Sequence, residues 1–225
     1  MVYIADINDF NALFFKEALR LLPEKKREEV LKITHETARK ETVLAWALLR
    51  FALGEKGITV LPRLTFSERG KPRFENEKLF FNLSHSKGRV CAAISTTGEI
   101  GVDVQKKSAF SKNMKKRVFT ENECLLGEKQ ADESAFFTRL WAIKESYLKN
   151  TGTGIAFDIR SLDFSKQCLF DSFEKDGLYY SICADKEFAF SVCAKEKGER
   201  VFRAVPCEAL VEYCKTAVCA AKGEV

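Results

Sequence analysis

The sequence predicts an α+β fold, and three observations predict it. Apolar residues recur at helical spacing over 9–22, 42–53 and 132–150. Short runs rich in aromatic and β-branched residues, bounded by turn residues, occupy 79–84, 89–95, 99–105, 178–184 and 187–194. The two kinds of segment alternate, so that helices and strands occur in each half of the chain.

Each element has its own justification. In DFNALFFKEALRLL (9–22) the apolar positions are 10, 13, 14, 18, 21 and 22, and Pro23 ends the run. A basic stretch, EKKREEVLK, follows. TVLAWALLRFAL (42–53) is apolar almost all round, which predicts a buried helix closed by Gly54. LTFSERGKPRF turns around Gly70 and Pro72. LFFNLS (79–84) and RVCAAIS (89–95) are strands, and a Thr-Thr-Gly turn joins the second to EIGVDVQ, so 89–105 is expected to be a β-hairpin. Residues 111–126 are helical, as are 132–150, with a stripe through Phe136, Phe137, Leu140, Trp141, Tyr147 and Leu148 that stops at Gly152 and Gly154. LYYSICA and EFAFSVCA are strands, and a peripheral helix starts at Pro206. No internal repeat and no low-complexity linker is visible.

Composition excludes several classes. Of 225 residues 46% are hydrophobic, and nineteen are Phe, enough to bury a core and offset ordering entropy, so disorder is not expected. No uncharged stretch approaches the roughly 18 residues of a membrane span. MVYIADINDF has no basic region of the kind that opens a signal peptide, so a cytoplasmic protein is expected. The eight cysteines form no C-x-x-C pair, and several sit in apolar runs, which favours buried thiols over disulfides or a metal site. A formal charge of +5 favours anionic partners without identifying them.

Three segments carry groups that periodicity does not require. In Asn82-Leu83-Ser84-His85-Ser86, directly after a strand, hydroxyls and an imidazole can donate to a phosphate; His85 can equally be a structural or capping residue. In Gly101-Val102-Asp103-Val104-Gln105, alternation places Asp103 and Gln105 on one face, which is either solvated or functional. In WAIKESYLK, Trp141, Glu145 and Lys149 share a helix face. Glu145 and Lys149 there form either a surface ion pair or a carboxylate and ammonium serving a divalent cation and its phosphate ligand.

The ordered set RGKP, FNLSHS, GVDVQ, FTENE and WAIKESYLK, followed by a glycine-rich turn, resembles the 4′-phosphopantetheinyl transferase superfamily in its larger, surfactin-synthetase-activating form. The resemblance runs from PEKKRE near residue 23 to Gly154. It implies two similar α/β halves related by a pseudo-twofold axis: 1–101, then 102–205 with the metal site, with 206–225 as the peripheral helix. It implies transfer of 4′-phosphopantetheine from coenzyme A, the co-substrate, to a serine of an acyl or peptidyl carrier protein, with Mg²⁺ as cofactor. By the same resemblance Asp103, Gln105 and Glu145 hold the metal, and Lys149 reaches the phosphates. Ser84 and His85 contact phosphate, Lys71 lies near the adenine, and Lys25 and Thr42 lie near the 3′-phosphate. Asp103, Glu145 and Lys149 form the catalytic set, with Glu145 as acceptor of the serine proton. A monomer is expected, since two halves already build the cleft.

One departure stands out: many relatives of this size have a glutamate where this chain has Gln105, which predicts weaker Mg²⁺ binding or a different metal preference. It leaves a second reading, a catalytically silent homologue that binds carrier proteins as partner or scaffold. A nucleic-acid-binding module would explain the basic stretch, but acidic residues interleave with the basic ones and no recognition signature accompanies them. Neither nucleic acid nor membrane is expected as a partner.

Overall fold

The apolar runs sort into two four-stranded sheets packed face to face, each backed by a nineteen-residue helix. The computed structural model describes residues 1–8, 10–75, 78–154, 158–198 and 200–221. The elements in order are β1 (Val2–Asp6), α1 (Ala12–Arg20), α2 (Glu24–Leu31), α3 (Glu36–Gly54), β2 (Leu64–Phe66), β3 (Pro72–Phe74), β4 (Phe80–Ser86), β5 (Arg89–Ser95) and β6 (Ile100–Lys106). There follow α4 (Lys112–Val118), α5 (Glu121–Gly127), α6 (Glu133–Thr151), β7 (Ser172–Lys175), β8 (Leu178–Ala184), β9 (Phe188–Ala194), β10 (Phe202–Ala204) and α7 (Cys207–Ala221). The expected α+β class holds.

Strand alternation builds the layers. Val2, Ile4, Cys91 and Ala93 turn one way and meet Val102, Val104, Phe190 and Val192 between the sheets. Tyr3, Ala5, Val90, Ala92 and Ile94 turn the other way, onto Leu44, Leu48 and Leu49 of α3. Tyr180, Ile182 and Cys193 likewise face Leu140 and Ile143 of α6. Each fully buried leucine of α3 contributes roughly 1.5–3 kcal/mol relative to exposure.

The first sheet has the order β10-β1-β5-β4 and the second β6-β9-β8-β7. In both, an opening strand pairs antiparallel with the second strand of a later hairpin, and a long helix intervenes. The start positions keep a near-constant offset: β1 to β6 from 2 to 100, α3 to α6 from 36 to 133, β4 to β8 from 80 to 178, and β5 to β9 from 89 to 188.

Several expectations are corrected. Residues 89–105 are not a hairpin: β5 pairs with β1 and β4, whereas β6 pairs with β9 in the other sheet. The hairpin turn is Lys87-Gly88, both at positive φ (45° and 100°), the twist that a two-residue connection requires. The Thr-Thr-Gly turn instead carries the chain from one sheet to the other. Residues 82–86 lie inside β4 rather than after a strand. The helix expected over 111–126 is two helices, broken where Thr120 starts a capping box with Glu123. The C-terminal helix is not peripheral, because Leu210 and Cys214, one turn apart, are fully buried in the first core. The segment before it, β10, pairs in parallel with β1, so residues 202–204 belong to the first sheet. Residues 222–225 of the expected C-terminal segment lie outside the described residues.

Candidate functional site

The site lies where edge strand β6 of one sheet runs beside edge strand β4 of the other. β4 and β6 are edge strands with no backbone ladder between them. Side chains at every second position of β4 supply the acceptors instead: Val102 N donates to Asn82 Oδ1 (2.8 Å), Val104 N to Ser84 Oγ (3.4 Å) and Lys106 N to Ser86 Oγ (3.2 Å). The constant offset of twenty residues fixes β4 beside β6 in parallel register, and satisfies N–H groups that an edge would leave open.

The second constraint is Gly101. A Cβ there would stand 2.0 Å from the Ser146 carbonyl oxygen and 2.3 Å from Asn150 N, so only glycine lets α6 lie directly on the β6 backbone. Asn150 secures that approach by donating to the carbonyls of Glu99 (2.8 Å) and Cys193 (3.0 Å). The face of β6 bearing Asp103 and Gln105 is therefore covered by a helix, not solvated.

That approach brings Asp103, Ser84, Lys149 and Glu145 together. Lys149 Nζ donates to Asp103 Oδ1 (2.6 Å) and Ser84 Oγ (2.7 Å), and Ser84 Oγ donates to the same carboxylate oxygen (2.8 Å). Asp103 is 4% exposed and its second oxygen, Oδ2, is enclosed with no hydrogen-bond partner. Lys149 thus pairs with Asp103 rather than with Glu145 one turn earlier. Glu145 is half-buried and makes no ion pair or side-chain hydrogen bond among the described residues. Burial, then the Asp103 charge, push its carboxyl above the ordinary glutamate value against the pull of Lys149. Burial opposes the Lys149 charge too, but Asp103, by its charge and hydrogen bond, holds that ammonium above the ordinary lysine value.

An enclosed, partnerless carboxylate oxygen beside a second unpartnered carboxylate is a donor set short of a cation. Asp103 and Glu145 fit a small hard divalent ion, which takes few carboxylates and fills its remaining positions from phosphate and water. Gln105, half-buried two residues beyond Asp103 on the same face, adds at most a neutral oxygen. No cluster of three His, Cys, Asp or Glu capable of holding a metal occurs among the described residues.

A cleft of about 430 Å³ opens beside this group, lined by Arg69, Lys71, Asn82, Trp141, Glu145 and Lys149 among others. Lys71 is saturated by Glu99 (2.5 Å), the Ile100 carbonyl (3.3 Å) and the Asn150 carbonyl (3.2 Å), so it fastens the RGKP turn to the end of α6. Burial depresses its ammonium and Glu99 partly restores it. His85 points to the opposite face from Ser84, where Glu41 of α3 holds its Nδ1 at 3.0 Å and accepts from Gly88 N at 2.6 Å, leaving the ring largely open to solvent. Glu41, 5% exposed, was not anticipated, although a glutamate heading the apolar run of α3 is its visible signal. Thr42 donates to the Ala38 carbonyl (2.8 Å) within its own helix. Lys25 lies 6.0 Å from the Phe66 ring on the wall of a different cavity, and does not line the cleft.

Residues 99–203 match the family model described as the 4′-phosphopantetheinyl transferase superfamily. Among curated proteins, the chain is 31% identical over 141 residues to the 4′-phosphopantetheinyl transferase ffp of Bacillus subtilis, covering 60% of this chain and 62% of that one. To HetI of Nostoc sp. (strain PCC 7120) it is 37% identical over 102 residues, 42% of this chain and 43% of that one. To Sfp of Bacillus subtilis (strain 168) it is 26% identical over 187 residues, 74% of this chain and 83% of that one. The matched stretch is thus under two thirds of the length of the first two relatives. No described helix is long and apolar enough to cross a membrane.

Proposed function

We propose that this chain, whose residues 99–203 match the 4′-phosphopantetheinyl transferase superfamily model, transfers 4′-phosphopantetheine from coenzyme A to a serine of an acyl or peptidyl carrier protein. The observation that carries the reading is the partnerless Asp103 Oδ2 beside the unpartnered Glu145 on the wall of the cleft.

In this reading Asp103 and Glu145, with Gln105 or a water beside them, hold Mg²⁺, which when bound neutralises pyrophosphate charge. Lys149 contributes a permanent positive charge toward the departing phosphate, its position fixed by Asp103 and Ser84. Glu145 accepts the serine proton as the serine oxygen bonds to the β-phosphorus; the phosphoanhydride bond breaks and 3′,5′-ADP leaves. In this reading His85, held by Glu41, contacts the 3′-phosphate, whereas Lys25, on the wall of a different cavity, and Thr42, bonded within its own helix, lend that contact no support. Ser84 acts through Lys149 and Asp103, since its hydroxyl is already engaged by both. Lys71 positions the turn that borders the adenine.

The shared topology and near-constant offset of the two sheets support two halves related by a pseudo-twofold axis. The division belongs in the turn at 96–99 rather than after residue 101, because β6 begins at Ile100, and 200–221 belong with the first half. One chain supplying both walls of the cleft supports a monomeric enzyme.

Intact-mass spectrometry of apo carrier proteins with coenzyme A and Mg²⁺ tests the proposal. A gain of one phosphopantetheine, absent with Glu145→Ala, is expected. No gain with several carriers, with either Mg²⁺ or Mn²⁺, would overturn it in favour of a carrier-binding scaffold, the reading that Gln105 leaves open.

A further inference from the structure

We propose that the chain carries a second binding site, for an anion with an apolar body such as a medium-chain carboxylate, in a cavity of the first half. The cavity, of about 720 Å³, lies between α2, α3 and the 60–66 segment and shares no lining residue with the cleft. Leu21, Leu22, Val60, Leu61, Leu64 and Phe66 give it apolar walls.

Arg50 of α3 also lines it and supplies the charge. This arginine is 7% exposed, donates from Nη2 to the Thr59 carbonyl (2.7 Å), and leaves Nε and Nη1 enclosed without a partner. It makes no ion pair among the described residues. A guanidinium cannot shed its charge by deprotonation, so an enclosed one lacking an acid is balanced only by an acceptor from outside. Lys144, by contrast, is fully buried and meets Glu123 at 2.7 Å and two carbonyls besides; Arg50 is set apart from the other arginines with an enclosed, unpartnered Nε by having two such nitrogens.

At the rim, Arg20 and Lys26 are taken up by Glu17 and Glu29 at 2.9 and 3.0 Å. Lys25 lies over Phe66 without an acid partner among the described residues. The cavity therefore offers apolar walls for a chain and one buried, unbalanced positive charge for its head. Guanidinium and carboxylate match in shape and charge, and an uncharged head of the same length would leave the arginine unbalanced.

Isothermal titration of the full chain with decanoate and with decanol is the test. Saturable decanoate binding is expected, about tenfold or more tighter than decanol, the scale of one charge-assisted hydrogen bond. Arg50→Met should erase that preference. Leu61→Trp, which fills the cavity and keeps the Arg50–Thr59 bond, should abolish binding while thermal melts show a folded chain. Saturating coenzyme A should leave decanoate affinity unchanged. Absence of saturable binding, equal affinity for acid and alcohol, retained binding in folded Leu61→Trp, or displacement by coenzyme A would each overturn the proposal; displacement would make the cavity part of the coenzyme site. The wild-type comparison stands even if Arg50→Met fails to fold.

Discussion

Helix α6 carries two lysines five residues apart, and each meets a carboxylate at nearly the same distance. Lys144 lies 2.7 Å from Glu123 and Lys149 lies 2.6 Å from Asp103. The first pair is closed. Lys144 also donates to the carbonyls of Val118 and Ile159 and lies 5.4 Å from the Phe119 ring, while Glu123 accepts from Thr120 N (2.8 Å) and Phe164 N (2.9 Å). The second pair is open: one Asp103 oxygen is crowded by Lys149 and Ser84, the other has no partner, and Glu145 beside it has none either. A satisfied buried pair joins α5, α6 and the 159–164 segment. An unsatisfied one is a place to bind.

The comparison breaks most visibly at the closed pair. Lys144→Met leaves Glu123 buried and uncompensated, so urea denaturation should show a loss of about 3–5 kcal/mol, with transferase activity per folded molecule retained. At the open group the pattern reverses. Glu145→Gln should lower transfer by about 10²–10³-fold with no loss of stability at neutral pH. The sign follows from its raised carboxyl: ionising Glu145 costs more in the folded than in the unfolded chain, so wild-type stability falls as pH rises from the ordinary value of 4.5 through the folded value. Metal-free melts across that window should show the wild type losing ground to the Gln variant as pH increases.

Gly101→Ala bears on both pairs through the seating of α6. A Cβ so close to two backbone atoms of the helix forces a shift, expected to cost about 1–3 kcal/mol and to loosen the Lys149–Asp103 contact, measurable as a lower melting temperature together with a weaker metal response. Gln105→Glu should sharpen the contrast with the smallest change. A third carboxylate at the open group should tighten Mg²⁺ binding by about tenfold, roughly 1.4 kcal/mol; unchanged metal dependence would show that residue 105 stays out of the metal's reach.

Much of this was legible in the sequence, unevenly and for physical reasons. The helices at α3 and α6 were evident because long apolar runs with caps depend on local pattern. Strand partnership was not, because a Thr-Thr-Gly turn does not say whether the next strand folds back or crosses to another sheet. The shared topology of the two sheets was expected from the resemblance alone, because element order is repeated without repeating residues. Asp103, Glu145 and Lys149 could be picked out as polar groups in apolar elements, yet the structure reassigns Lys149 from Glu145 to Asp103 through the close approach at Gly101. Ser84 and His85 are adjacent in sequence but point to opposite faces of β4, one into the carboxylate cluster and one to Glu41.

The central claim is that the valence left open at Asp103 and Glu145 holds a divalent cation for the transfer. Electron paramagnetic resonance of Mn²⁺ with the chain and coenzyme A counts that ion directly. A single ion bound by the wild type and by Lys144→Met, and lost in both Asp103→Asn and Glu145→Gln, is the predicted result. Mn²⁺ retained unchanged by both carboxylate variants, or none bound by the wild type, would contradict the claim.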